Sequence, residues 1–243
     1  MEHQISTLTN EDFLKATVTT TKDMRGAWTP LTWVEDYHFA YSGPFNKAQA
    51  ALTFDDGPDE TFTPKILEIL RKHDVKATFF LLGENMLKYP DLARQIAAEG
   101  HVIGNHTFSH PKLTDLDEVA YRHEIRRADS LILQMIGYKP RYFRPTYGAI
   151  TEAQVSWASK RGMMVIQWSI DTEDWRGKSA DEITGIVMKN LLPGSIILQH
   201  NADGVPLEGS VEALDGMINA LHKKGTKLVT LEEMFGWSRA RSW

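Results

Sequence analysis

From residue 48 onward, short apolar runs alternate with amphipathic stretches, and no other feature limits the fold of this chain so strongly. Such alternation is the sequence form of parallel βα units, whose strands are buried on both faces and so read as nearly continuous apolar runs. Ala50–Phe54, Ala77–Leu82, Val102–Ile103, Tyr142–Phe143, Met163–Ile170, Ser195–Leu198 and Lys227–Thr230 are the expected strands. The helices between them carry start and stop signals. Pro64 and Pro90 sit in first turns, Thr114-Asp115-Leu116-Asp117, Thr151 and Ser179 supply caps, and Gly100, Gly137 and Gly162 end helices. A further helix is expected over Val211–Leu221, with a short one at the C-terminus.

Residues 1–45 lack strong periodicity and are expected to form an N-terminal extension packed on a main domain of residues 46–243. The threonine-rich stretch Thr17–Asp23 reads as an exposed connection or weak edge strand, and Trp28, Trp33, Tyr37, Phe39 and Tyr41 as aromatics packing on that domain. At 243 residues the chain suffices for one substantial core. A net charge of -5 without a lysine or arginine cluster argues against a nucleic-acid partner. No apolar run approaches the ~18 residues of a membrane span. The absence of cysteine excludes disulfides and thiolate metal ligands. Met1–Ser6 lacks the basic and apolar parts of a secretory signal, so the protein is expected to be intracellular or to have lost its signal.

Ionisable residues fall at the ends of the strands. Asp55 and Asp56, His106, Arg144, Asp171 and His200 each follow an apolar run, and in βα barrels the C-terminal strand ends converge on one face. Adjacent carboxylates repel unless a cation or proton takes up one charge. The plainer reading of Asp55-Asp56 before Gly57-Pro58 is Asx-turn capping. His106 and His110 are four residues apart, which on a helical turn would place both imidazoles on one face, within reach of one metal. That spacing alone is a weak signal. Joined to a carboxylate of the Asp55-Asp56 pair it gives two histidines and one aspartate, a set that leaves a position for water. Histidine ligands favour zinc, Co²⁺ or another transition metal over magnesium or calcium. Such a site acidifies water and polarises a carbonyl, which suits hydrolysis of an ester or amide. If Asp56 ligates the metal, Asp55 is free to act as general base. Arg144 is then placed to hold that base, or else forms an ordinary surface pair. His200 suits proton donation if a carboxylate, Asp171 or Asp174, raises its pKa; otherwise it is structural.

Taken together, these segments resemble the polysaccharide deacetylases of carbohydrate esterase family 4, which share the NodB homology domain. The resemblance covers roughly residues 48 to 235, with five motifs in the family's order: Thr53–Pro58, His106–His110, Arg144–Gly148, Asp171–Trp175 and Leu198–His200. It implies an α/β fold, a distorted (β/α) barrel with fewer than eight regular units, and residues 46–243 as the catalytic domain. It also implies one divalent metal, most often zinc, on Asp56, His106 and His110, with Asp55 as base oriented by Arg144 and His200 as acid. The backbone N–H of Tyr147 would help stabilise the oxyanion. Leu198 would line the acetyl pocket, Trp175 would wall the sugar groove, and Asp171 or Asp174 would tune the charged network.

One departure is visible, since Thr146 stands where the family commonly has a second proline, which leaves an extra N–H and a looser turn beside Tyr147. The expected activity is removal of N-linked acetyl groups from N-acetylglucosamine units of a chitin-like polymer or peptidoglycan. O-acetyl xylan is the alternative substrate, and a non-catalytic metal-dependent carbohydrate-binding protein the alternative of another class. A magnesium site of a sugar-nucleotide transferase fits poorly, with two histidines and no phosphate-cradling glycine loop. The protein is expected to be a monomer that takes an acetylated polysaccharide or oligosaccharide. By family resemblance it is expected to be secreted or wall-associated, with a cytoplasmic location left open.

Overall fold

The computed structural model describes residues 37–242 apart from 203 and 205. One parallel sheet is built from β1 (Phe39–Ala40), β2 (Gln49–Asp55), β3 (Thr78–Leu81), β4 (Val102–Asn105), β5 (Tyr142–Phe143), β6 (Met164–Ile166), β7 (Ile170–Asp171), β8 (Ser195–His200) and β9 (Lys227–Leu228). Its order is β1-β6-β5-β4-β3-β2-β8-β7, and β9 pairs with the entry end of β2. The sheet curls into a half-barrel. The covering helices are α1 (Thr63–Lys72), α2 (Gly83–Lys88), α3 (Pro90–Ala98), α4 (Glu118–Ile136), α5 (Glu152–Ser159), α6 (Ala180–Asn190), α7 (Glu208–Lys223) and α8 (Leu231–Phe235). None of the described helices is long and apolar enough to cross a membrane.

Both faces of the central strands β2, β3 and β4 are buried, which is why they read as continuous runs. Along β2, Ala50, Leu52 and Phe54 join the outer cluster under α1 and α7, while Ala51 joins the inner one. The same period-two rule sends Phe79 outward and Phe80 inward on β3, and Ile197 outward and Ile196 and Leu198 inward on β8. Each fully buried Leu, Ile or Phe contributes about 1.5–3 kcal/mol, so a one-residue register slip would forfeit the whole set. A Cβ at Gly104 would lie 2.5 Å from the Phe80 ring, so glycine is needed on that inner position of β4.

The single strand expected over Met163–Ile170 is instead two strands on opposite arms of the sheet. Between them Gln167 N donates to Ala40 O and Ser169 N to Ile196 O, so this run closes the curl from the β1 side to the β8 side. Helix α2 lies between the expected strand and the helix opened by Pro90, where no element is expected, and its six residues are too few to display a period. The last strand stops at Leu228 because Thr230 is already the N-cap of α8, in a capping box with Glu233. The first 36 residues of the expected N-terminal extension, with Thr17–Asp23, Trp28 and Trp33, lie outside the described residues. From Tyr37 the chain runs against the barrel. Phe39–Ala40 pairs with β6, and Phe39 and Tyr41 share a cluster with Trp157 and Val165.

Candidate active site

The C-terminal ends of β2, β4, β5, β7 and β8 bring the expected residues together. Asp55 faces His200 in register across β2 and β8. It follows Ala51 and Thr53 on the inner face and is only 3% exposed. Arg144, directly after β5, is wholly buried and donates from Nη1 to Asp55 Oδ1 at 2.7 Å and to Thr53 Oγ1 at 2.9 Å. Its other nitrogens reach the carbonyls of Ile166 and Gln167 at 3.4 and 3.1 Å, and its guanidinium lies 4.3 Å over the Phe80 ring. So many fixed partners make Arg144 a rigid holder of Asp55, and the surface-pair reading does not apply to a buried side chain.

Asp56 leaves the strand in a left-handed conformation at φ 76°. Asn201, one residue past β8, holds this turn by accepting the Gly57 N–H at 3.1 Å, and a Cβ at Gly57 would lie 2.1 Å from its amide nitrogen. Asp56 Oδ1 stands 3.3 Å from His106 Nε2 and 3.2 Å from His110 Nε2. Asp56, His106 and His110 offer ligand atoms within 4.8 Å of one another.

These residues fit a divalent cation. Asp56 Oδ1 is buried and has no hydrogen-bond partner among the described residues. The Nδ1 of His106 lies 2.8 Å from the Arg144 carbonyl, which can only accept, so the neutral ring presents a bare Nε2 to the cluster. Burial alone would raise the Asp56 carboxyl, but the two facing imidazoles and the charge of His200 outweigh it and hold the group well below the usual carboxylate range. It therefore stays ionised at ordinary pH, as a metal ligand must be.

The expected helical turn between the two histidines is absent. Thr107 and His110 adopt φ of 74° and 61°, and side chains satisfy the loop instead. Thr107 N donates to Asn105 Oδ1 at 2.7 Å, Phe108 N and Ser109 N to Glu124 Oε2 at 3.1 and 2.9 Å, and His110 N to Thr107 Oγ1 at 3.2 Å. Strain in two non-glycine residues persists because these bonds over-determine the loop.

Of the two candidate carboxylates, Asp174 is the one on His200. His200 Nδ1 lies 2.7 Å from Asp174 Oδ1, and its backbone N–H donates to Asp174 Oδ2 at 2.8 Å. Burial would lower the His200 pKa, but the hydrogen bond and charge of Asp174, then the charges of Asp56 and Asp55, push it up to about 9. Asp171 accepts the Glu173 N–H at 2.9 Å, and its charge acts on Arg144.

Tyr147 takes a left-handed conformation at φ 57°, and its largely exposed ring meets His110 edge-on at 4.6 Å between centroids. The turn before it is not loose, because Thr146 is buried and its hydroxyl donates to the carbonyl of Pro111, next to His110. Trp175 is half-exposed beneath Arg176, while Leu198 is buried in the inner cluster with Phe80 and Trp168. Sequence reading missed Thr53, Asn105, Glu124, Asp129 and Asn201. Two of them carried a signal, since Thr53 interrupts an apolar strand and Asn201 follows directly on His200.

Known proteins resemble this chain over most of its length. The family model described as polysaccharide deacetylase matches residues 42–166. A peptidoglycan-N-acetylglucosamine deacetylase of Bacillus cereus is 55% identical over 219 residues, which is 90% of this chain and 80% of that protein. A chitooligosaccharide deacetylase of Rhizobium leguminosarum bv. trifolii is 38% identical over 194 residues, 75% of this chain and 89% of its own length. Among solved structures, the Bc1960 peptidoglycan N-acetylglucosamine deacetylase in complex with 4-naphthalen-1-yl-N-oxidanyl-benzamide superposes with a TM-score of 0.87. It is 55% identical, covering 88% of this chain and 100% of that one.

Proposed function

Because the chain belongs to the polysaccharide deacetylase family, we propose that it is a metal-dependent hydrolase that removes acetyl groups from N-acetylglucosamine units of peptidoglycan or a chitin-like polymer, releasing acetate. The observation that carries this reading is the juxtaposition of two separately held proton carriers. Asp55 is clamped by Arg144 and His200 by Asp174, and they are register neighbours beside the Asp56–His106–His110 cluster. A binding protein has no use for an arginine-clamped carboxylate opposite a carboxylate-clamped histidine, so this pairing also speaks against the non-catalytic alternative.

Zinc is the proposed cation, since two imidazoles and one carboxylate suit it. Bound there, it would supply a Lewis acid that polarises the amide carbonyl and acidifies water. The chain's own groups then move the protons. Asp55 takes one proton from the attacking water as its oxygen bonds to the carbonyl carbon, and Arg144 keeps that carboxylate fixed throughout. His200 gives the Nε2 proton to the glucosamine nitrogen as the C–N bond breaks, leaving acetate and a free amine. The N–H of Tyr147 is the proposed second donor to the developing oxyanion. Leu198 is the proposed floor for the acetyl methyl, and Trp175 the proposed stacking wall for the sugar. A wall polymer as substrate carries with it the proposal that the enzyme acts outside the cell membrane.

The acid must be protonated, so raising pH through the His200 pKa removes activity. The alkaline limb of kcat is expected at or below about pH 9, and Asp174→Asn should move it down toward the ordinary histidine value of about 6.5. A pH profile whose alkaline limb is unmoved in Asp174→Asn would remove His200 from the role of acid. The substrate is tested by measuring acetate and new free amines from peptidoglycan, chitooligosaccharides and O-acetyl xylan with the zinc-loaded protein. Equimolar acetate and amine from either N-acetylglucosamine polymer is the expected result. Acetate from xylan alone would assign the protein to the ester.

A further inference from the structure

The loop that carries His106 and His110 is tied to the far C-terminus of the chain. Asn105, the last residue of β4, accepts the Thr107 N–H on Oδ1 and donates from Nδ2 to the Ile125 carbonyl at 2.9 Å and to Asp129 Oδ1 at 2.8 Å. Asp129 lies on α4 and is 5% exposed. Its second oxygen, Oδ2, pairs with Arg241 Nη2. Arg241 is in turn fixed on three sides: Nε donates to the Pro140 carbonyl at 2.9 Å, Nη1 to the Arg161 carbonyl at 3.1 Å, and its backbone N–H to Lys139 at 3.1 Å. An unbroken line of charge-assisted and neutral hydrogen bonds thus runs from the tail through α4 to the strained Thr107. It uses none of the groups assigned to proton transfer.

A buried carboxylate with one oxygen on a guanidinium and the other on an amide fixes that amide's orientation. Asn105 must then present Oδ1, not Nδ2, to Thr107. Were the amide free to rotate, a donor would face the Thr107 N–H, and the left-handed turn that aims His106 and His110 would lose its support. Outer partners of this kind set the affinity of a metal site without touching the ion.

We propose that Arg241, acting through Asp129 and Asn105, is a positioning residue for the histidine loop, so that the C-terminal tail sets the affinity of the Asp56–His106–His110 site for its cation. The inference rests on the metal reading above. Arg239 provides the control, since it anchors the same tail to Glu232 at 2.5 Å and to the His101 carbonyl at 3.3 Å, with no hydrogen bond to Asn105 or Asp129 among the described residues.

The test is competition between the metal-stripped full chain and a chromophoric chelator for Zn²⁺, in wild type, Arg241→Met, Asp129→Asn and Arg239→Met. Arg241→Met and Asp129→Asn are expected to weaken zinc binding by about 10- to 100-fold, and Arg239→Met to leave it unchanged even where its melting temperature falls. Arg241→Lys retains a cation on Asp129 but not the fork to Pro140 and Arg161; it is expected to recover part of the affinity, and with Asp129→Asn it carries the comparison should Arg241→Met not fold. Wild-type affinity in both Arg241→Met and Asp129→Asn, or an equal loss in Arg239→Met, would overturn the proposal and leave the metal reading standing. No zinc binding by the wild type would overturn the metal reading and the proposal with it.

Discussion

Asp55→Asn is expected to lower kcat by about 10²- to 10⁴-fold with KM little changed and zinc still bound, the range for removal of a positioned general base. The substitution is nearly isosteric. Asn Oδ1 can still accept from Arg144 Nη1, where Asp55 Oδ1 now does at 2.7 Å. What the amide cannot do is take a proton at neutral pH. Asp55 is not one of the three proposed ligands, and its Oδ2 lies 3.7 Å from His106 Nε2, so the cluster on Asp56 should survive. Steady-state acetate release together with zinc stoichiometry checks both halves. A kcat close to wild type would mean that the proton leaves by another route. Loss of zinc with loss of activity would mean that the pair is not divided into ligand and base.

Arg144→Met is expected to be damaging in two ways. The guanidinium is wholly buried and its partner is 3% exposed, so removing it leaves an uncompensated carboxylate in the interior, a change that destabilises by about 3–5 kcal/mol. It also strips the bonds to Thr53, Ile166 and Gln167 that join β2, β5 and the crossing segment at the barrel's closure. Activity should fall at least as far as in Asp55→Asn, because the base is no longer held in place beside the cluster. The double variant Arg144→Met/Asp55→Asn discriminates between these causes. It carries no orphaned charge and is expected to be more stable than Arg144→Met alone in urea unfolding. A double variant less stable than either single one would show that lost packing, not the buried charge, dominates.

The sequence disclosed the site more fully than the path of the chain. Ionisable residues at the ends of apolar runs stand out because a buried strand tolerates them only where it leaves the core. Asp55, Asp56, His106, Arg144 and His200 were found in that way, and the structure places them together. The split of Met163–Ile170 was hidden because both pieces are apolar, and only the closure of the barrel separates them. Asp171 and Asp174 are equivalent on paper. Their roles diverge because Asp171 ends a strand and caps its own turn, whereas Asp174 enters a short 3₁₀ turn that carries its carboxylate under His200.

The four-residue histidine spacing suggests a helical turn, but the loop is held by the adjacent Asn105 and by Glu124, and nothing within His106–His110 announces Glu124. Thr146 is a case where a residue read as loosening the turn tightens it, because its hydroxyl finds the Pro111 carbonyl. The Glu124 and Pro111 contacts join segments 15 to 35 residues apart, which periodicity does not encode.

Metal dependence of acetate release is the most direct test of the central claim. The protein is stripped with a chelator, dialysed and assayed on N-acetylglucosamine polymer for acetate and free amine, before and after Zn²⁺ is restored. The expected result is no release by the stripped protein and full recovery at one zinc per Asp56–His106–His110 site. Acetate release that persists undiminished after complete removal of metal would contradict it.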